Sequence, residues 1–276
     1  MSPSLTVIGA GRVGKTLAGL FQRKHVATIV DILNRTVSSA QQAVAMIGAG
    51  SPVDRFELLK PARIFLLAVP DDQIAPCCER LVQTGLIGAG NIVFHCSGAL
   101  SSGELKNASA AGATVASIHP IRSFADPEKV MDDFAGTWCG VEGDAAALAV
   151  LGPMFEGIGA RLVPVNTSSK TLYHAAAVFA SNYLVSTLAV AQQAYVAAGI
   201  PEDVALELLA PLACETVDNV MRLGPAVALT GPIARGDLAT VQRQQLAVEH
   251  WDSGYGELYR QLANATTRLA ASRKTS

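Results

Sequence analysis

The chain has 276 residues, which is enough for one large domain or two modest ones. Half of the residues are hydrophobic and only 16% are charged, which excludes a disordered chain. Because 21 basic residues face 23 acidic ones, the formal net charge is −2, and no strong field attracts nucleic acid or anionic membranes. We therefore predict a globular protein whose partners are small molecules.

The five cysteines are odd in number and include neither a CxxC pair nor a histidine-spaced zinc pattern. This usage predicts no disulfide framework and no metal site, and it is typical of the reducing cytoplasm. The first residues lead almost directly into an apolar strand, so we expect no signal peptide. Residues 171–201 carry no Asp, Glu, Lys or Arg, but polar residues such as His174 and Asn182 interrupt them. We interpret this stretch as a buried helix and not as a membrane span.

In chain order, short apolar runs alternate with amphipathic, Ala-rich stretches, which is the pattern of βαβ units in a parallel sheet. The predicted strands cover residues 5–8, 28–33, 64–69, 91–95, 114–118, 138–141 and 161–165. After residue 166 the strand signal stops and the remaining sequence is typical of helices. We predict a Rossmann-type, doubly wound and mostly parallel α/β domain over residues 1–166, followed by an all-α domain over residues 167–276.

A glycine-rich turn joins the first predicted strand to the first predicted helix. In the sequence Gly9-Ala-Gly11-Arg-Val-Gly14, the first glycine permits a tight turn and the second lets the backbone approach a pyrophosphate. The third lets the helix pack closely on the sheet, while free N–H groups at the helix N-terminus attract the anion. The predicted dinucleotide site here comprises Gly9, Ala10, Gly11, Arg12, Val13 and Gly14.

The residues after the second strand select between the two nicotinamide cofactors. Asn34-Arg35-Thr36 offers a guanidinium between small polar groups, which suits a 2′-phosphate and favours NADP over NAD. Asp31 is the competing signal, because an acidic residue at the strand end would instead bind a ribose hydroxyl group and favour NAD. We also assign Val69 and Pro70, where strand 64–69 ends, to the cofactor site.

Several motifs follow the order of the 6-phosphogluconate-dehydrogenase-like superfamily. They are the glycine turn, residues 66–72 (LLAVPDD), residues 95–99 (HCSGA), residues 117–120 (SIHP), residues 173–182 (YHAAAVFASN) and residues 230–237 (TGPIARGD). The chain resembles a branch of Rossmann-like oxidoreductases whose C-terminal helical domain was of formerly unknown function. That branch is similar to an alternative type of ketopantoate reductase, and more distantly to pyrroline-5-carboxylate reductase and prephenate dehydrogenase.

The resemblance implies a homodimer formed through the C-terminal helices, with an active site in the cleft between the two domains. One departure concerns catalysis. Better-known enzymes of this superfamily carry a Lys with an Asn four residues later, whereas Lys170 here is followed by His174 at that spacing. The role of the usual catalytic Lys therefore does not transfer directly.

Reduction of a carbonyl or imine group needs a proton donor, a polar group for developing negative charge, and a cation for a substrate carboxylate. On a helix starting near residue 168, Lys170, His174 and Ser181 share one face, with Asn182 to one side. We predict His174, Asn182 and Lys170 to be catalytic and Ser181 to bind substrate. A buried structural histidine, an interhelical hydrogen bond from Asn182 and a solvated Lys170 are the alternatives.

Four further residues complete the predicted site. Ser97 and Gly98 follow a parallel strand at the edge where ligands of doubly wound sheets bind. Ser97 is therefore predicted to be catalytic and to touch the cofactor, and Gly98 is predicted to bind substrate. His119 follows the next strand and is predicted to donate to a substrate oxygen, while Arg235 is a carboxylate anchor. A helix cap at Ser97 and a loop-holding role for His119 are the alternatives.

The leading hypothesis is a cytoplasmic NADP-dependent oxidoreductase acting on a small α-keto or imino acid, with ketopantoate as the best single substrate. A regulatory dimer that binds NADP without catalysis is the first alternative. An imine reductase of the pyrroline-5-carboxylate type is the second.

Overall fold

The computed structural model describes residues 2–272, and these form two compact units. Unit 1 ends at Phe179 and unit 2 begins at Ala180. This division lies later in the chain than the predicted boundary at residue 166. It does so because Lys170, Tyr173 and His174 all contact residues of the sheet or of its loops in unit 1.

Within the described residues, unit 1 contains an eight-stranded sheet in the order β3-β2-β1-β4-β5-β6-β7-β8. The strands are β1 Ser4–Ile8, β2 Thr28–Leu33, β3 Ser51–Val53, β4 Ile64–Leu67, β5 Ile92–His95, β6 Thr114–Pro120, β7 Trp138–Gly143 and β8 Arg161–Pro164. All neighbours are parallel except β6 and β7. The order of the first six strands is that of a dinucleotide-binding Rossmann sheet, so the predicted fold class is confirmed.

Helices cover both faces of this sheet. They are α1 Arg12–Arg23, α2 Val37–Ile47, α3 Asp71–Gln83, α4 Lys106–Ala110, α5 Pro127–Asp132, α6 Ala145–Gly157 and α7 Lys170–Ala180. Alternate residues of β4 belong to two separate hydrophobic clusters, Ile64 and Leu66 to one and Phe65 and Leu67 to the other. Because both faces are buried, the strand is a continuous apolar run rather than an alternating one.

Three features of unit 1 and its boundary differ from the sequence prediction. Strand β3 was not predicted, because its three residues include Pro52 and give too short a pattern. Strand β6 continues to Pro120, so His119 lies inside the strand and not after it. The long helix predicted from residue 168 is interrupted at Ser181, whose backbone angles are not helical (φ −122°, ψ −75°). The predicted common face of Lys170, His174 and Ser181 is therefore wrong for Ser181.

Unit 2 consists of helices and has few buried side chains. Its helices are α8 Asn182–Ala197, α9 Glu202–Leu223, α10 Pro225–Ala228, α11 Pro232–Arg235, α12 Leu238–Trp251 and α13 Ser253–Ser272. Among its described residues, the buried hydrophobic side chains are Ala205 and Leu209 alone. Large apolar side chains such as Val185 and Met221 are 66% and 79% exposed in the single chain.

The prediction that residues 171–201 form a buried helix is wrong for the single chain. Residues Thr167–Ala197 form the one helical stretch, among the described residues, that is long and apolar enough to cross a membrane by length and composition. None of its most apolar window is buried within the chain. The predicted polar interruptions are present, but the surface that should cover this stretch is not supplied by the described residues.

Candidate active site at the carboxyl ends of the central strands

The glycine turn after β1 is shaped by close backbone packing. Gly9 has φ +87°, and a Cβ atom there would come within 2.8 Å of the Ala68 carbonyl oxygen. A Cβ at Gly14 would lie 2.5 Å from the Gly9 carbonyl oxygen, whereas one at Gly11 would meet nothing within 4 Å. Gly9 and Gly14 are thus required by the fold, while Gly11 leaves open space beside the helix.

That open space lies at the N-terminus of α1, a helix of 12 residues. The N-cap residue is Gly11, and no side chain caps the first turn. The first N–H groups of α1 and its positive dipole end are thus available to an anion. The turn fits the pyrophosphate of a dinucleotide, with Ala10, Arg12 and Val13 alongside the glycines.

The residues after β2 lie next to the glycine turn and at the start of α2. Asp31 lies inside β2, fully buried, and one of its carboxylate oxygens accepts from the Lys60 backbone N–H at 2.7 Å. Asn34 Oδ1 accepts from the Ala10 N–H at 2.7 Å, so Asn34 holds the glycine turn in place. Arg35 is exposed, and Thr36 caps α2 by accepting from the Ser39 N–H. Asp31 is therefore not at the strand end, where the sequence argument for NAD would place it.

A pocket of about 300 Å³ opens beside the glycine turn, where β4, β5 and β6 end. It is lined by Val13, Leu67, Ala68, Val69, Asp71, Cys96, Ser97, Gly98, His119, Pro120, Arg122, Phe124 and His174. All of these residues belong to unit 1. The pocket therefore joins the predicted cofactor edge to the predicted catalytic histidines.

His119 enters the pocket from β6 and is held by a neighbouring tyrosine. Its Nδ1 lies 3.0 Å from the Tyr173 hydroxyl oxygen, and the two rings meet edge to face at 5.6 Å between centroids. Burial lowers the pKa of His119 to about 4, with smaller contributions from His174 and Lys170. The imidazole is thus neutral at physiological pH.

His174, on α7, faces His119 across Gly98. The two imidazole centroids are 5.5 Å apart, and Nδ1 of His174 is buried with no hydrogen-bond partner among the described residues. A Cβ atom at Gly98 would lie 2.3 Å from His174 Nδ1 and 2.8 Å from His119 Nε2. Only glycine at this position lets both histidines approach the end of β5.

Ser97 is mainly a structural residue of the loop after β5. Its hydroxyl oxygen accepts from the N–H groups of Ala99 and Leu100, at 3.2 and 3.0 Å, which closes a tight turn. Its own N–H donates to Nδ1 of His95, while His95 Nε2 donates to the Ser101 carbonyl oxygen at 3.0 Å. Ser97 still lines the pocket, and its hydroxyl group has one proton left to donate.

Lys170 is almost fully buried and does not line the pocket. Its Nζ donates to the Ser97 carbonyl oxygen at 2.8 Å and to the Ser117 hydroxyl oxygen, and it lies 3.6 Å from a carboxylate oxygen of Glu142. Burial lowers the pKa of Lys170, and the Glu142 carboxylate opposes that effect. Lys170 therefore ties α7 to the loop after β5 and to β6. Its predicted catalytic role stays a prediction.

The remaining predicted substrate and catalytic residues lie in unit 2. Ser181 and Asn182 are exposed at the start of α8, and Arg235 is exposed at the end of α11. Their assigned roles stay predictions. In unit 1, the pocket cation Arg122 donates to the Asp133 carboxylate at 2.7 Å and to the Asp133 carbonyl oxygen at 3.0 Å.

Sequence reasoning did not assign roles to Tyr173, Glu142 or His95. Glu142 accepts hydrogen bonds from the Ser102 backbone and hydroxyl and from Thr167, so it is a buried centre of polar contacts. Two signals in the sequence could have indicated them: Glu142 is a charged residue in the apolar strand β7, and Tyr173 directly precedes His174. Neither signal identifies a partner, because the partners are far apart in sequence.

Comparison with known proteins agrees with this architecture. Residues 2–120 match the family model of a Rossmann-like domain, and residues 137–266 match that of a domain of unknown function, DUF2520. Together the two matches span most of the chain. The resemblance predicted from the sequence, to a Rossmann-like protein with a helical C-terminal domain of formerly unknown function, is confirmed. No curated protein sequence matches significantly.

Solved structures share the whole fold of this Rossmann–DUF2520 chain. A protein from Thermotoga maritima is 27% identical, with a TM-score of 0.74 over 98% of this chain and 99% of that one. A protein assigned as an NADP oxidoreductase from Bacteroides fragilis is 21% identical, with a TM-score of 0.79 over 97% and 98%. Pyrroline carboxylate reductase from Plasmodium falciparum, solved with NADP bound, is 11% identical, with a TM-score of 0.59 over 97% and 98%.

Proposed function

We propose that this protein is an NADPH-dependent oxidoreductase that reduces a small α-keto or imino acid, with ketopantoate as the first substrate to test. The observation that carries the proposal is the convergence of His119 and His174 on Gly98, in a pocket that begins at the N-terminus of α1. A dinucleotide site alone would not need two half-buried imidazoles at its edge.

The chain's own residues supply three functions in this proposal. The glycine turn and the first turn of α1 hold the pyrophosphate, and Val69 and Pro70 border the cofactor where β4 ends. The neutral imidazole of His119 donates a hydrogen bond to the substrate oxygen and polarises the carbonyl group. The unpaired Nδ1 of His174 faces the same point and is available to the substrate. NADPH supplies the hydride when it is bound.

The first experiment is NADPH oxidation at 340 nm by the purified protein, against a panel of α-keto acids and cyclic imino acids. Turnover of a keto acid supports the proposal, whereas turnover of cyclic imines alone favours the pyrroline-5-carboxylate type. Tight NADPH binding without any turnover favours the regulatory alternative. NADH is run in parallel to measure cofactor preference.

His174→Ala tests the site within that assay. We expect at least a hundredfold loss of kcat/KM with little change in NADPH affinity, because general acid–base groups contribute about 10²–10⁴-fold. His250→Ala, at an exposed position of α12, is the matched control and keeps wild-type turnover. Wild-type activity in His174→Ala would remove the central role assignment.

The preference for NADP is proposed on the position of Arg35. Its exposed guanidinium follows β2 directly, next to the N-terminus of α2, where a 2′-phosphate would be bound. Arg35→Asp is expected to weaken NADPH binding at least tenfold while leaving NADH binding within twofold, because it replaces a charge attraction with a repulsion. Arg63→Asp is the control and should leave NADPH binding unchanged, because Arg63 directly precedes β4 and so lies at the amino ends of the strands, away from the cofactor edge. Equal NADPH affinity in Arg35→Asp and wild type would contradict the assignment.

We further propose that the protein is a homodimer formed through unit 2. Exposed apolar side chains on α8, α9 and α12 support this, together with the scarcity of buried apolar residues in that unit. Such surfaces are costly in water and are typical of obligate subunit interfaces. The substrate carboxylate anchor Arg235 and the cytoplasmic location stay proposals on the sequence alone.

A further inference from the structure

Nδ1 of His119 forms one hydrogen bond with the described residues, and its partner is the hydroxyl group of Tyr173. Tyr173 lies on the first turn of α7, and its ring packs edge to face against the imidazole. A Cβ atom at Gly140 would lie 2.3 Å from the hydroxyl oxygen, so the phenol fits closely against the backbone of β7. The hydroxyl group therefore has a fixed position relative to His119.

The direction of the hydrogen bond follows from acid–base chemistry. A phenol O–H is a stronger donor than a neutral imidazole N–H, and an imidazole nitrogen is a stronger acceptor than a phenol oxygen. Burial raises the pKa of Tyr173 to about 12, so the phenol keeps its proton at neutral pH and can donate it.

We propose that Tyr173 is a positioning residue that fixes His119 in the tautomer with its proton on Nε2. Nδ1 then accepts from Tyr173, and the Nε2–H group lies on the side of Gly98 and the pocket. The pocket consequently presents a permanent hydrogen-bond donor to a substrate. This inference rests on the proposed function for its purpose, but the tautomer itself is a property of the protein alone.

The fixed donor also bears on the substrate class. A carbonyl oxygen has lone pairs that accept from Nε2–H, whereas a protonated imine nitrogen has none. His119 in this tautomer therefore matches a keto acid better than an iminium ion. Because the neutral imidazole is already a donor, it polarises the carbonyl group without a change of its own charge, as neutral histidines do in other active sites.

Long-range ¹H–¹⁵N NMR spectra of protein labelled with ¹⁵N-histidine test the proposal without substrate. The chain has five histidines, and His119→Gln identifies the His119 signals by their loss. In the wild type at pH 7.5, we expect a protonated Nε2 and an Nδ1 with a free or hydrogen-bonded lone pair. A proton on Nδ1 of His119 would overturn the proposal.

Tyr173→Phe then tests the cause of the tautomer. We expect its His119 signals to move to the averaged shifts of a mixed tautomer population, whereas unchanged signals would overturn the proposal. Tyr259→Phe, which removes a hydroxyl hydrogen bond to Gln244 within unit 2, is the control and leaves His119 unchanged. If the tautomer is as expected but no panel substrate turns over, the proposed reductase function fails while the positioning role of Tyr173 stands.

Discussion

At the scale of single residues, two imidazoles in unit 1 are held neutral by burial. His95 is fully buried, and burial lowers its pKa to about 4. The Ser101 carbonyl oxygen and the Glu142 and Asp71 carboxylates oppose this effect, while Lys170 adds to it. His95 orients the loop that carries Ser97 and Gly98, so its charge state affects the geometry of the site.

These depressed pKa values predict acid sensitivity. Between pH 6.5 and 4 the unfolded chain takes up protons at His95 and His119 that the folded chain does not, so stability is full above pH 6.5 and falls below it. Each histidine contributes up to about 1.4 kcal/mol per pH unit in that window. Urea unfolding between pH 7.5 and 4.5 measures the slope.

His95→Gln should reduce that slope by up to about half, because one of the two titrating groups is removed, even though the variant is less stable at pH 7.5. His250→Gln, at an exposed position, serves as the control with the wild-type slope. A variant His95→Gln that loses stability with acid as steeply as the wild type would contradict this account.

At the scale of elements, two glycines at the start of α1 serve different purposes: Gly14 is needed for packing, and Gly11 is needed for binding. A Cβ atom at Gly14 collides with the Gly9 carbonyl oxygen, whereas a Cβ at Gly11 meets only open space. The glycine at position 11 is therefore not explained by packing. An approaching ligand explains it, because a methyl group there would occupy the path to the free N–H groups.

Gly11→Ala and Gly14→Ala form a matched pair that tests this separation. We expect Gly14→Ala to lower the free energy of unfolding by about 1–3 kcal/mol through overpacking. Gly11→Ala should unfold like the wild type and bind NADPH at least tenfold more weakly, as measured by calorimetric titration. Wild-type NADPH affinity in Gly11→Ala would show that no pyrophosphate approaches this turn.

The second element-scale feature is the attachment of α7 through Lys170. The ammonium group reaches β5 and β6, and its partner Glu142 on β7 receives three further hydrogen bonds. Removing one member of such a pair leaves the other charge buried without its counterion. The contact therefore stabilises the position of His174 and Tyr173 on the same helix.

A double-mutant cycle measures that contact. Lys170→Met is expected to cost about 3 kcal/mol of unfolding free energy, and adding Glu142→Gln should recover at least half of it, because no uncompensated charge remains. Arg23→Met breaks the exposed pair with Asp132 and should cost less than about 0.5 kcal/mol. Additive losses in the double variant would show that the two groups do not interact.

At the scale of the whole molecule, unit 2 lacks the core that a separate helical unit needs. Its exposed apolar side chains lie on several helices, and its buried ones, among the described residues, are two. Apolar burial supplies most of the free energy that opposes chain entropy, so a unit with so little burial is not stable alone. The proposed second copy would supply the missing surface.

Met221→Glu tests the dimer, because Met221 is the most exposed of the large apolar residues on α9 at 79%. We expect the wild type to have a dimer mass by light scattering, and the variant to dissociate or unfold at micromolar concentration. Leu58→Glu, at a 46% exposed position in unit 1, should leave the mass unchanged. A monomeric wild type at every concentration would contradict the proposal.

The amino-acid sequence by itself determined most of the strands and the glycine turn of the Rossmann unit, because these features depend on short stretches of neighbouring residues. Apolar runs specify the buried parallel strands, and the glycine spacing specifies the turn after β1, since each depends on neighbouring residues only. The same reasoning did not predict β3, and it predicted a single helix where the structure has α7 and α8. A three-residue edge strand and a single non-helical residue leave too weak a pattern to detect.

The tertiary structure alone decided how the chemical groups are paired. It placed Asp31 inside a strand, paired Lys170 with Glu142, and brought Tyr173 to His119. These contacts join residues that are 28 to 54 positions apart, and a sequence does not encode which distant group will lie within 3 or 4 Å. Residue types and local spacing set what each group can do, whereas the strand order sets which groups meet.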